Sequence, residues 1–189
     1  MTQAPATTAP HATPAIAAQA EWAPTPLDAL PRRDLSQPEL LDLVRSLAAD
    51  EQVWREHVAF SGGERHYVSL YRDAHVDVWV LCWVPENDTG WHDHDVSSGA
   101  VAVAEGCLVE YNLAVGTPSL AADVIAGDAY SFGPDRIHRL TGRDEGSVSI
   151  HAYSPPLWRM GQYAVSTSGV LRRTPVSYAE ELRPIEVAD

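Results

Sequence analysis

Polar and apolar positions repeat with two different periods along the chain, helical near the start and strand-like afterwards. Ser36 and Glu39 have the spacing of a helix capping box. Leu40, Val44 and Leu47 follow at the three- and four-residue spacing of an amphipathic helix. The pattern therefore predicts a helix that begins at Ser36 and packs one apolar side against the rest of the protein.

A second short helix is expected from Asp50, and strand-like runs follow it. Runs rich in Val, Ile, Tyr and Trp alternate with turn residues, which is typical of β-structure. We predict strands at residues 65–72, 76–84, 89–94, 99–104, 107–113, 122–126, 129–132, 136–140, 146–153, 161–167 and 170–173. Many short strands indicate an all-β jelly-roll barrel, with one or two short helices packed at its N-terminal side.

The first part of the chain differs from the rest. Residues 1–33 are rich in Ala, Pro and Thr and show no hydrophobic period. Such a segment buries too little apolar surface to offset its conformational entropy. We expect a disordered tail over 1–33, with Leu27 and Leu30 docking near its end, and one domain over 34–189.

Composition excludes several function classes. The formal net charge is −13, which disfavours binding to nucleic acid, and no apolar run reaches the ~20 residues of a membrane helix. All 13 basic residues are arginine, so lysine chemistry is excluded. Cys82 and Cys107 lie in apolar runs, and the N-terminus lacks the pattern of a signal peptide. We expect free thiols and a cytoplasmic location.

Two histidines in one predicted strand suggest a metal site. His92 and His94 are two residues apart, so their side chains would face the same side of the strand. Their spacing to Gly106 resembles the first cupin motif, with Gly99 where that motif has glutamate, and His138 takes the histidine position of the second motif. Three neutral nitrogen ligands would leave positions open on iron(II). The alternative is a polar pair on a solvated face.

A second row of polar residues lies in the predicted strand 146–153. Ser149, His151 and Tyr153 alternate with apolar residues, so all three would point the same way. They form either a polar outer face or a hydrogen-bonded chain inside the barrel, where partners of this kind orient a tyrosine hydroxyl.

These motifs resemble the cysteine dioxygenase family, the thiol dioxygenases of the cupin superfamily. The resemblance spans about residues 36–173 and is carried by Trp91-His92-Asp93-His94, by His138 and by Ser149-Ile150-His151-Ala152-Tyr153-Ser154-Pro155-Pro156. It implies a cupin barrel that holds iron(II) through His92, His94 and His138, with Ser149, His151 and Tyr153 as an outer catalytic triad.

Two positions depart from the family pattern. Gly99 stands where animal members carry a cysteine linked to the active-site tyrosine, so we expect no such link, as in the bacterial type. The arginine for the substrate carboxylate is expected two residues after Tyr67, where this chain has Ser69. Arg72 and Arg159 are the two candidates to replace it, and a surface position is the alternative for each. We expect Tyr67 to bind the substrate together with one of them.

The expected reaction is the insertion of both atoms of O2 into a small thiol, which gives a sulfinic acid. L-Cysteine is the first candidate substrate, and 3-mercaptopropionate or another small thiol is the alternative. A zinc or manganese cupin with isomerase or hydrolase activity, and a non-catalytic metal-binding cupin, are the rival hypotheses. The pattern of residues gives no oligomeric state.

Overall fold

Eleven strands of the described residues form two antiparallel sheets that face each other. The computed structural model describes residues 26–114, 117–166 and 169–177. The strands are β1 Tyr67–Arg72, β2 Asp77–Trp83, β3 Trp91–Asp93, β4 Ser98–Glu105, β5 Cys107–Asn112, β6 Leu120–Ile125, β7 Ala129–Phe132, β8 His138–Gly142, β9 Ser147–Ser154, β10 Arg159–Val165 and β11 Leu171–Ser177. Each predicted strand is present, with its ends shifted by a few residues, and the fold is the predicted all-β barrel.

The strand order of each sheet brings distant parts of the chain together. One sheet has the order β1-β2-β9-β4-β7, and the other has β11-β10-β3-β8-β5-β6. Strand β9 therefore lies at the centre of the first sheet, and β3 and β8 are neighbours in the second. These central strands carry the histidines and the polar row that the sequence singled out.

The helices cover the outer side of the first sheet. Helix α1 spans Gln37–Ala49 and α2 spans Glu51–Trp54, and short 3-10 turns span Pro26–Ala29 and Arg55–His57. The predicted caps are confirmed, because the Glu39 carboxylate accepts from the Ser36 backbone N–H at 2.8 Å and Asp50 accepts from the Gln52 N–H. No helix of the described residues is long and apolar enough to cross a membrane.

Two apolar clusters lie on opposite sides of the first sheet. Leu40, Val44 and Leu47 of α1 pack with Ile150 and Ala152 of β9 on the outer side. The residues of β9 that alternate with Ile150 and Ala152 point into the barrel, and Tyr153 belongs to the inner cluster. Strand β9 is buried on both faces because the helix covers one and the second sheet covers the other. The polar row is therefore an interior feature and not a solvated outer face.

The beginning of the chain is described from residue 26 onward. Leu27 and Leu30 pack against the outer cluster, as predicted. Within the expected tail, residues 26–33 carry a 3-10 turn and these contacts. The remainder of that tail, residues 1–25, and the predicted end of the domain, residues 178–189, lie outside the described residues.

Candidate metal centre and active site

Three histidines from two neighbouring strands meet inside the barrel. His92 lies on β3, His94 directly follows this strand, and His138 begins β8, where it pairs with His92 in the sheet. One ring nitrogen of each lies within 4.8 Å of the others. The three ring centroids are 4.6 to 5.1 Å apart. The pairing of β3 with β8 thus brings His138 to His92 and His94. The sequence pattern alone placed His138 on a different predicted strand.

Burial keeps these imidazoles neutral. Desolvation, followed by the charge of neighbouring histidines, lowers the pKa of His92 and of His94 well below 6.5. Burial also lowers the pKa of His138, against the hydrogen bond and charge of Glu110. A metal ligand must be the neutral imidazole, so the cluster requires no loss of a proton before it binds a cation at neutral pH.

At His92 and His138, the Nδ1 atom makes a hydrogen bond outside the cluster, which leaves the Nε2 atom for a ligand. His92 Nδ1 lies 3.1 Å from the Gly90 carbonyl, which only accepts, so this nitrogen carries the proton. His138 Nδ1 lies 2.9 Å from the Glu110 carboxylate. His138 Nε2 and both ring nitrogens of His94 are buried without a hydrogen-bond partner among the described residues. Three neutral imidazole donors with unused nitrogens fit a divalent first-row metal ion.

Glu110 and its neighbours were not singled out by the sequence. Glu110 lies on β5 and accepts from Arg136 Nη2 at 3.0 Å with both carboxylate oxygens. Burial opposes its ionisation, but the hydrogen bond from His138 and the charge and hydrogen bond of Arg136 outweigh burial and lower the pKa of Glu110. The signal in the sequence was a single carboxylate inside the apolar strand Cys107–Asn112, which points inward only once β5 is paired with β8.

Asp93, the last residue of β3, lies between His92 and His94 and points to the other side of the strand. Its carboxylate accepts from Arg173 Nε at 2.7 Å and Nη2 at 2.8 Å, and from the backbone N–H of Gly161 at 3.0 Å. These partners lie on β11 and β10. The carboxylate therefore ties the histidine strand to the edge of its sheet and fixes the backbone from which His92 and His94 project.

The polar row of β9 is a continuous hydrogen-bonded chain. The Ser149 hydroxyl lies 2.8 Å from His151 Nε2, and His151 Nδ1 lies 3.1 Å from the Tyr153 hydroxyl oxygen. Burial first, and then the charge of Arg65, lower the pKa of His151 to about 3, so the ring is neutral at physiological pH. The Tyr153 ring stacks on His94, with centroids 5.3 Å apart. The row thus ends beside the three histidines.

A cavity of about 430 Å³, its open mouth included, lies between the histidine cluster and the polar row. His92, His138, His151 and Tyr153 contribute polar groups to its wall. The other lining residues are mostly apolar, and they are Trp79, Leu81, Trp83, Thr89, Leu140 and Leu157, together with Arg65. The cavity is therefore lined mostly by apolar side chains, with a small number of polar groups among them.

Arg65 is the cationic residue of this cavity, and the sequence did not single it out. It is 8% exposed, and its guanidinium lies 4.5 Å from the Trp83 ring centroid. Arg65 precedes Tyr67, the first residue of strand β1, by two residues. We expected an arginine for the substrate carboxylate two residues after Tyr67, whereas the arginine that lines the cavity lies two residues before it. The two-residue spacing between Arg65 and Tyr67 was the signal in the sequence that could have identified Arg65.

The arginines and the tyrosine expected to bind substrate do not line the cavity. Arg72 pairs with buried Asp77 at 2.9 Å and lies over the Trp158 ring. A register shift does occur in β1 between Ser69 and Tyr71, but Arg72 remains beside Asp77. The Arg159 side chain is 69% exposed and pairs with Asp95. Tyr67 is 37% exposed and packs against Trp79 at 5.7 Å. Of the arginines considered, the structure thus brings Arg65 to the cavity lining and places Arg72 and Arg159 outside it.

Gly99 lies against the aromatic side of the site. A Cβ atom at this position would lie 2.4 Å from the Phe132 ring and 3.1 Å from Tyr153 Cδ1. Phe132 in turn packs on His94 and His138, with centroids 4.6 and 4.9 Å apart. Both Cys82 and Cys107 are free and buried. The space that a cysteine side chain would need beside Tyr153 is thus filled by Phe132.

Comparisons with known proteins find one family model and several solved structures that match parts of the chain. The family model of cysteine dioxygenase type I matches residues 25–166. No curated protein matches the chain significantly. Similar solved structures include an uncharacterized conserved protein with a double-stranded beta-helix domain from Klebsiella pneumoniae, at 20% identity, covering 53% of this chain and 80% of that chain with a TM-score of 0.47. Another is KdgF from Halomonas sp., at 14% identity, covering 55% and 93% with a TM-score of 0.46.

Proposed function

Because the chain belongs to the cysteine dioxygenase type I family, we propose that it is an iron(II)-dependent thiol dioxygenase. It would insert both atoms of O2 into a small thiol and release a sulfinic acid. The sulfur loses four electrons in this reaction and O2 gains them, so no external reductant is required. The buried free thiols of Cys82 and Cys107 fit a reducing compartment, and we place the reaction in the cytoplasm.

One observation carries the proposal. The donor atoms of three buried neutral histidines lie within 4.8 Å of one another, and two of these histidines, His92 and His138, line one cavity. His151 and Tyr153 of the polar row and Arg65 line the same cavity. A metal site alone would account for the histidines. The adjacent hydrogen-bonded row and the cationic residue give the same cavity the means to orient a reacting group and to bind an anionic substrate.

His92, His94 and His138 are the residues that would hold iron. The bound ion would favour the thiolate form of the substrate and allow its reaction with O2. Trp79, Leu81 and Leu157 restrict water in the cavity, which strengthens the electrostatic interactions inside it. Tyr153 ends the polar row at the cavity, where its hydroxyl would donate a hydrogen bond to the reacting group, with His151 and Ser149 holding it in place.

Arg65 points to a thiol that carries a carboxylate. A guanidinium binds a carboxylate with two parallel hydrogen bonds, and the apolar wall around Arg65 makes that bond stronger than it would be in water. L-Cysteine is our first candidate and 3-mercaptopropionate the second, since both have the thiol and the carboxylate. Cysteamine has the thiol and an amine but no carboxylate, so it distinguishes binding at Arg65 from binding at the metal alone.

The test is a thiol panel on the protein loaded with iron(II). Oxygen uptake and sulfinate formation, followed by an oxygen electrode and by mass spectrometry, should both occur with L-cysteine or 3-mercaptopropionate in a one-to-one ratio. The matched control is His138→Ala, which should lose iron and activity together. A wild-type protein that binds iron but consumes no oxygen with any thiol of the panel would favour the non-catalytic metal-binding cupin instead.

A further inference from the structure

Glu110 is a buried carboxylate that lies outside the histidine cluster and contacts it at one point. Its residue is 5% exposed, and one carboxylate oxygen lies 2.9 Å from His138 Nδ1. Strand β5 pairs with β8 so that Asn112 lies opposite His138 and Glu110 opposite Leu140. Glu110 and His138 are therefore diagonal neighbours on the same face of the sheet, a distance that long side chains bridge.

The contact determines which nitrogen of His138 can face the other two histidines. A carboxylate accepts hydrogen bonds, so His138 Nδ1 carries the proton and Nε2 carries the lone pair. Nε2 is the atom that is buried without a partner among the described residues. The same tautomer arises at His92, but there a backbone carbonyl, which has no full charge, is the acceptor.

Arg136 holds the carboxylate in place. Its Nη2 lies 3.0 Å from both oxygens of Glu110, while its side chain is 32% exposed. The positive group therefore reaches solvent, whereas the negative one stays buried against His138. A carboxylate on the outer nitrogen of a histidine increases the basicity of the inner nitrogen and fixes the orientation of the ring.

We infer that Glu110 is the positioning residue of the metal centre, which selects the Nδ1–H tautomer of His138 and strengthens His138 as a ligand. The inference rests on the proposed metal centre. Glu110 lies on β5 and is not one of the three histidines. It supplies a negative charge that the three neutral histidines lack. Gly99 occupies the place where the cupin motif has a carboxylate, so the negative charge here lies behind a histidine and not among the ligands.

Cobalt(II) binding to the metal-free protein tests the inference without any thiol or O2. In competition with a chelator, Glu110→Gln should weaken cobalt(II) binding by about 10- to 100-fold, because the amide keeps the size of the side chain but not its charge. Asp77→Asn is the matched control, since Asp77 is also buried and paired with an arginine but contacts no histidine of the cluster. It should leave cobalt(II) affinity within about threefold of wild type.

Long-range proton–nitrogen NMR of the metal-free wild type gives a second readout, which a merely structural role would not predict. His138 should show a protonated Nδ1 and a bare Nε2. A bare Nδ1, or a Glu110→Gln variant that binds cobalt(II) as tightly as wild type, overturns the inference. If Glu110→Gln does not fold, Glu110→Asp decides: a weakened cobalt(II) affinity supports the inference and an unchanged one overturns it.

The two proposals fail separately. A chain that oxidises no thiol but shows these cobalt(II) and NMR results loses the proposed function and keeps the role of Glu110. A chain that oxidises thiols while Glu110→Gln binds cobalt(II) normally keeps the function and loses the role of Glu110. Failure of the wild type to bind cobalt(II) at all would overturn the role of Glu110.

Discussion

The indole N–H of Trp83 donates to the Ser149 hydroxyl at 2.8 Å. An indole nitrogen only donates, so Ser149 Oγ accepts here, and its own proton is left for His151 Nε2 at 2.8 Å. A neutral His151 then carries its proton on Nδ1 and donates it to the Tyr153 oxygen at 3.1 Å. In this order every group of the row has a partner, and the phenolic proton of Tyr153 is directed away from His151 and toward the cavity.

Tyr153→Phe should therefore lower turnover without weakening metal binding. Loss of one positioned hydrogen bond to a reacting group costs on the order of a hundredfold in rate. The hydroxyl is hydrogen-bonded to His151, which is not one of the three histidines of the metal cluster, so iron content and cobalt(II) affinity should remain at the wild-type level. Steady-state oxygen uptake and metal analysis measure the two effects.

Tyr71→Phe is the control for that substitution. It removes a hydroxyl that donates to Asp73 at 3.0 Å, in the hairpin between β1 and β2. Its turnover should equal that of wild type. An unchanged rate in Tyr153→Phe would return the polar row to a purely structural role.

Arg65→Met should impair carboxylate-bearing thiols selectively. A charge-assisted hydrogen bond contributes about 1.5–3 kcal/mol, which corresponds to roughly a tenfold to hundredfold loss in kcat/KM for L-cysteine or 3-mercaptopropionate. Methionine keeps much of the apolar contact with Trp83 but removes the charge. Cysteamine, which has no carboxylate, should be oxidised with nearly unchanged kcat/KM.

Arg159→Met provides the comparison, because Arg159 pairs with Asp95 at the surface. The kinetic constants for every thiol should match those of wild type. Equal losses for cysteine and cysteamine in Arg65→Met would show that Arg65 acts through the shape of the cavity and not through the carboxylate.

Gly99→Ala should destabilise the protein because the added methyl group would overlap the Phe132 ring. Overpacking of this kind costs about 1–3 kcal/mol in the free energy of unfolding. Phe132→Leu in the same chain should recover part of the loss, since leucine is the smaller side chain. Gly62→Ala is the control, because a Cβ atom there meets no heavy atom within 4 Å. Urea denaturation measures all four proteins.

The same packing predicts that Tyr153 carries no bond to a cysteine. Phe132 fills the space beside Tyr153, and both Cys82 and Cys107 are free. Mass analysis of the intact protein should give the mass of the unmodified chain. A loss of two hydrogens in a peptide pair containing Tyr153 and a cysteine would contradict this expectation.

Acid should destabilise the metal-free protein through its buried histidines. Burial, followed by the charge of Arg65, lowers the pKa of His151 to about 3, against about 6.5 in the unfolded chain. The unfolded state therefore binds the extra proton first as the pH falls, and the free energy of unfolding decreases. Between pH 7 and pH 5, His151 alone should contribute a loss of about 2 kcal/mol.

His151→Gln should reduce the pH dependence by that amount, as measured by urea denaturation of the metal-free protein at the two pH values. Tyr153→Phe alters the same row without removing a group that titrates in this range, so it should keep the wild-type dependence. Identical pH dependence in wild type and His151→Gln would mean that the unfolded and folded chains bind the same number of protons at this position.

Local patterns were sufficient for much of the protein. The capping box at Ser36, the N-cap at Asp50, the helix under the first sheet and the eleven strands follow from periodicity and turn residues, because these signals act within a few residues of one another. For the same reason the sequence predicted two groups of site residues, because residues two apart on a strand share a side. They are the pair His92 and His94 and the row Ser149, His151 and Tyr153.

Tertiary structure decided what those local patterns face and which distant residues join them. Strand β9 is buried on both sides because α1 covers one of them, so its polar row lies inside the barrel. Arg65 lines the cavity and lies over the Trp83 ring, and Glu110 reaches His138 because β5 pairs with β8. Sheet register and layer packing are long-range properties, and a period along the chain does not contain them.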